Sequence, residues 1–72
     1  MRSFDDTQGS QWQVAVLDAS YGSMLLVFSL AGDSVVRKVA MSAENLRLAE
    51  QQLVEMDQSQ LRRLLEASVP WE

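Results

Sequence analysis

The sequence predicts an α+β domain, a four-stranded antiparallel meander followed by two C-terminal helices packed on one face of the sheet. Three observations carry this. The run Met24-Leu25-Leu26-Val27-Phe28-Ser29-Leu30 is uncharged, rich in strand formers and far too short to cross a bilayer as a helix. Segments on either side of it read with a strand period of two. From Met41 onward the apolar period changes to about 3.6, that of a helix. An uncharged apolar strand at a sheet edge is an aggregation template, so the 24–30 run is placed centrally, with a neighbour on each side.

Residues 3–12 read as a short strand, a turn and the start of a second strand. Asp5, Asp6 and Thr7 are side chains that bond their own backbone, and Gly9 supplies the positive φ of a tight turn. Phe4 and Trp12 flank that turn and are expected to meet across the pair. Trp12, Val14 and Val16 alternate with Gln13, Ala15 and Leu17. The next connection is residues 18–23, with Gly22 as its turn residue. In the central strand Met24, Leu26, Phe28 and Leu30 form the larger side-chain set and are assigned to the core, leaving Leu25, Val27 and Ser29 on the other face. Ala31-Gly32-Asp33-Ser34 makes a second hairpin turn into a fourth strand at residues 35–40. Its two faces, Val35/Arg37/Val39 and Val36/Lys38/Ala40, are evenly matched, and the sequence does not choose between them. Adjacent charges place this strand at an edge.

For the first helix, Ser42 is the expected N-cap, with Met41 and Leu46 as a hydrophobic staple. Leu46, Ala49, Leu53 and Met56 form its apolar stripe, with Val54 beside it. The same signal recurs further on: Asp57 caps, Gln60 closes a capping box and Met56 staples to Leu61. Leu61, Leu64 and Leu65 give a second stripe out of phase with the first, so two helices joined at Asp57 are preferred to one. Pro70 stops the last helix. Trp71 is expected to pack onto the sheet or the helix pair.

Seventy-two residues make a single domain, 1–72, near the lower limit of autonomous stability, which makes oligomerisation a natural way to add burial. With no Cys and no His, disulfides, thiolate or imidazole zinc sites and His-activated nucleophiles have no residues to use. Asp5 and Asp6 stand where a signal peptide needs its apolar segment, so a cytoplasmic, bacterial-type protein is expected. Net charge is −4, of which residues 41–72 carry −3. An acidic helical half disfavours nucleic acid as a partner.

The pattern Phe4-Asp5-Asp6, Gly9, Trp12-Gln13-Val14, then Leu25-Leu26-Val27-Phe28, then Asp57, Leu61 and Leu64-Leu65 before Pro70-Trp71 resembles small bacterial proteins of uncharacterised function. It spans most of the chain, but its elements are turns and core residues. The resemblance implies an N-terminal antiparallel meander with C-terminal helices, and it brings no catalytic or ligand residue.

Asp5 and Asp6, with Asp18 or Asp33, are the carboxylates available for acid–base work or Mg²⁺, but as residue types they are turn formers first. Gly9, Gly22 and Gly32 stand alone and make no phosphate loop. No catalytic, cofactor or metal residue is therefore assigned. The expected function is a non-enzymatic protein-interaction domain, in one form a homodimer. Its contact face is Ala15, Leu17, Leu25 and Val27, the side of the sheet that two helices leave uncovered. The alternative is a small nucleic-acid or anion-binding module using Arg37, Lys38, Arg47, Arg62 and Arg63. A solvated helix face with Arg62–Glu66 and Arg47–Gln51 neighbours at i,i+4 explains the helical arginines without any such partner.

Overall fold

A computed structural model describes residues 2–19 and 23–71. The elements are β1 (Arg2–Asp5), β2 (Gln11–Asp18), β3 (Met24–Leu30), β4 (Val36–Met41), α1 (Leu46–Glu55), α2 (Gln58–Ala67) and β5 (Val69–Pro70). The strands form one antiparallel sheet in the order β1-β2-β3-β4-β5. The predicted meander and its two helices are present, with the apolar run in the middle. The sequence reading missed β5, a two-residue strand that follows α2 and pairs Val69 with Lys38 and Pro70 with Arg37.

Register fixes the two faces, because neighbours across a ladder point the same way. Phe4 lies opposite Trp12, Trp12 opposite Leu30, Val14 opposite Phe28, and Leu26 opposite Val39. This face turns toward the helices. Phe28, Leu26, Val14 and Leu61 are its most completely buried side chains, and Phe4 meets Phe28 edge to face at 5.9 Å between ring centroids. Helix α1 brings Ala49 and Leu53 to this core and α2 brings Leu61, with Leu64 and Leu65 packed beside it.

The first turn forms for the expected reason. Asp6 Oδ1 accepts from the backbone N–H of Gln8 and Ser10, and Gly9 has φ 85°. In the β3–β4 hairpin Gly32 has φ 78°, and Leu30 donates its N–H to Val35. The turn expected at Gly22 lies outside the described residues.

Several expectations need correction. The fourth strand is Val36–Met41, one residue later than predicted, because Val35 closes the hairpin by accepting from Leu30. Ser42 is not the N-cap of α1. Met41 is still paired with Met24, and the chain needs the next few residues to leave the sheet, so Asn45 caps instead, its side chain accepting from Leu48 N–H. The Met41–Leu46 staple is lost with that shift. Leu46 is more than a third exposed and Val54 nearly three-quarters, leaving Ala49 and Leu53 as the buried stripe. Asp57 caps α2 as expected, accepting from Gln60 N–H. Trp71, expected to cover the sheet or the helix pair, is 47 % exposed. Its backbone N–H donates to Val36 O, which aligns it with β4 and shows that the strand expected at the edge is partly covered by the tail, and its indole lies under Lys38, the Nζ being 5.2 Å from the ring centroid.

The helices are tied down at their C-terminal ends by two arginines that rise from the helix-facing side of the sheet, one on β1 and one on β4. Arg2 Nη1 donates to Leu53 O at 2.7 Å and also to Met56 O at the end of α1. Arg37 donates from Nε to Ser68 Oγ at 2.8 Å and from Nη2 to Ser68 O at 2.5 Å at the end of α2. Each cation sits where the helix presents unsatisfied carbonyls and a negative dipole end. This settles the even match of faces in β4: the Arg37/Val39/Met41 side turns toward the helices and Val36/Lys38/Ala40 turns away.

Candidate functional site

With the helices on one side, the other side of the sheet faces outward. Ladder pairing places Ala15 beside Val27 and Leu17 beside Leu25, and continues Val27 to Lys38 and Leu25 to Ala40. Strand β5 adds Val69 next to Lys38, and Trp71 follows beside Val36. The four contact residues expected from the sequence therefore share one face. Ala15, Leu25 and Val27 are half-buried by their neighbours, while Leu17 stands out at 40 % exposure. Val36, Ala40, Val69 and Trp71 extend the same apolar surface and were missed. A signal for Val36 existed: a hairpin that closes between Leu30 and Val35 puts Ser29 opposite Val36, which orients the rest of β4. Val69 and Trp71 had none, since a two-residue strand has no period to detect.

This outer face has a polar half and an apolar half. Ser3, Gln11, Gln13 and Ser29 fill the corner nearest the β1–β2 turn. The apolar residues occupy the rest. Among the described strand residues on this face only two carry charge, Asp5 on the first edge strand and Lys38 near the other edge. A shallow depression of about 330 Å³ opens at the apolar corner, lined by Leu25, Lys38, Val39, Ala40, Ala67 and Val69.

The carboxylates are not brought together. Asp5 lies opposite Gln11 at one end of β2, and Asp18 is the last residue at the other end, roughly 23 Å away at strand rise. Asp6 is engaged in the turn, and its Oδ2 also accepts from Trp12 Nε1 at 2.9 Å. That indole bond, the N–H groups of Ser10 and Gln8 and the nearby Arg62 together hold its carboxyl below the ordinary value of 3.8, against a smaller opposing effect of desolvation. Asp33 accepts from the N–H of Ser34. No group of three or more His, Cys, Asp or Glu among the described residues is placed to hold a metal ion.

The five basic residues of the alternative reading are spread over the molecule. Arg37 turns inward to Ser68, whereas Lys38 turns outward over Trp71. Arg62 reaches the sheet edge, donating from Nε to Asp5 O at 2.7 Å and from Nη2 to Gln58 Oε1, in place of the expected pair with Glu66. Arg47 and Arg63 are exposed on separate helices.

No helix among the described residues is long and apolar enough to cross a membrane. No family model, no curated protein and no solved structure matches this chain.

Proposed function

We propose that this chain is a non-enzymatic protein-interaction domain and that the outer face of its sheet is the contact surface. One observation carries the reading: Ala15, Leu17, Leu25 and Val27 form an apolar surface with Ala40 on the side the helices do not cover, and Val36, Val69 and Trp71 lie beyond it around Lys38. Such a surface left in water is unfavourable at about 25 cal/mol per Å², and interfaces are where proteins place it.

The test is the double variant Leu25→Lys with Val27→Lys. Both side chains point away from the core, so the variant is expected to keep the wild-type circular dichroism spectrum and to lose association, read as mass in solution by light scattering. A folded variant that associates as the wild type does would reject the outer face as the contact surface.

A further inference from the structure

We infer that Arg62 guards the β1 edge of the sheet: its guanidinium occupies a backbone acceptor that a second β1 strand would need, and so keeps copies of the chain from pairing edge to edge. The strand order puts β1 at one edge and β5 at the other. An edge strand presents a row of unpaired N–H and C=O groups on which another chain can add.

The ladder shows which groups these are. Asp6 donates its N–H to Ser10 O, so the backbone groups of Asp6, and by alternation those of Phe4 and Arg2, turn inward to β2. Ala31 donates to Gln11 O, so Gln11, which lies opposite Asp5, bonds toward β3 instead. The N–H and C=O of Ser3 and Asp5 therefore point out along the free edge. Of these four groups only Asp5 O has a partner among the described residues, and that partner is Arg62 Nε at 2.7 Å. Gln58, one turn earlier on α2, accepts from Nη2 of the same guanidinium at 3.3 Å and steadies it there. Arg2 and Arg37 reach from strands to helix carbonyls; Arg62 reaches the other way, from a helix to a strand carbonyl.

An antiparallel pair of two β1 strands that uses every outward group sets Ser3 of each copy opposite Asp5 of the other, with Phe4 opposite Phe4 on the two-fold. Asp5 O of each copy must then accept from Ser3 N–H of the other. With Arg62 on that acceptor in both copies, two of the four bonds between the strands cannot form, and two guanidinium charges approach the same seam. The opposite edge is blunted by another means. Trp71 donates to Val36 O, so Val69 and Trp71 bond toward β4 and Pro70 faces outward, where it has no N–H to offer.

Light scattering and amide hydrogen exchange on Arg62→Met test this. The variant should keep the wild-type circular dichroism spectrum, exceed the wild-type mass at equal concentration, and gain protection at the Ser3 and Asp5 amides. Recovering two backbone hydrogen bonds corresponds to edge pairing roughly ten- to a hundredfold tighter than in wild type. Adding Ser3→Pro removes an outward N–H and no bond to β2, so it should return the mass and the Asp5 exchange to wild-type values. Arg62→Gln stops short of Asp5 O but keeps a polar helix surface; it should behave as Arg62→Met does, and it keeps the test open should Met disturb the fold. A folded Arg62 variant with the wild-type mass and unprotected Ser3 and Asp5 amides, or a gain in mass that Ser3→Pro leaves unchanged, would overturn the inference. Neither result bears on the outer face, whose own test is Leu25→Lys with Val27→Lys.

Discussion

Arg37 offers the sharpest test of how the two layers are joined. Its guanidinium leaves the helix-facing side of β4 and donates twice to Ser68, a residue only 4 % exposed at the C-terminal end of α2. Replacing it by Met keeps most of the aliphatic stem and removes both donors and the charge. Hydrogen bonds from a charged donor contribute about 1.5–3 kcal/mol, and a cation at a helix C-terminus adds about 0.3–1 kcal/mol. Ser68 Oγ also donates to Leu65 O, which softens the loss. A destabilisation of about 2–3 kcal/mol follows. For a domain of this length the total stability is about 4–11 kcal/mol, and each kcal/mol moves Tm by about 4–8 °C. Arg37→Met should therefore lower Tm by about 10–20 °C in a thermal melt followed by circular dichroism. Arg37→Lys should fall between, because one ammonium does not reproduce the planar fork that reaches both oxygens. Arg47→Met, at an exposed position on α1, should stay within about 0.5 kcal/mol of wild type. An Arg37→Met variant as stable as Arg47→Met would refute the reasoning.

Three further outcomes follow from the same structure. Asp6 has a lowered pKa in the folded chain, so its contribution is complete above its ordinary value of 3.8 and is lost as pH falls through the lower folded value; urea titrations across that window should show a steeper acid loss for wild type than for Asp6→Asn, and equal slopes would contradict the Trp12 bond. Trp71 is half exposed and Trp12 is buried, so acrylamide should quench fluorescence strongly in the Trp12→Phe variant and weakly in Trp71→Phe, and Trp71→Ala should cost only about 0.5–1 kcal/mol, the scale of its contact with Lys38. Leu61→Ala removes a fully buried side chain where α2 meets the sheet and should cost about 2–5 kcal/mol in denaturant titration, whereas Val54→Ala should be close to neutral.

The parts of this fold that were legible in the sequence are those set by local chemistry or by a sustained period. Alternation gave β2 and β3 their length and faces, and the Asp6–Gly9 turn and the Asp57 cap announced themselves by residue type. That Ala15, Leu17, Leu25 and Val27 share a face followed once the central strand was oriented, although their ladder register did not. What was not legible depends on distant partners. Ser42 has the chemistry of an N-cap, but pairing of Met41 with Met24 carries the strand past the point where a helix beginning there could start. Arg37 looks like an exposed edge charge until α2 delivers Ser68 to it, thirty-one residues later. Trp71 was expected to pack onto the sheet or the helix pair, but the short β5 ladder holds the tail along β4 and leaves its indole on the outer side, 47 % exposed. The candidate face was therefore visible at its centre and invisible at its β4–β5 side.

The central claim, that the outer face is covered when the chain does its work, is tested most directly by the solvent accessibility of its methyl groups. Relaxation of the Leu17, Leu25 and Val27 methyls by a soluble nitroxide can be compared with that of Val54, which is 73 % exposed on α1 in the helical layer. As protein concentration rises, the account predicts that the three outer-face residues become shielded while Val54 stays fully accessible, with the mass rising above the 8.1 kDa of one chain. Outer-face methyls that remain as accessible as Val54 at the highest concentration, in a protein that associates all the same, would contradict it.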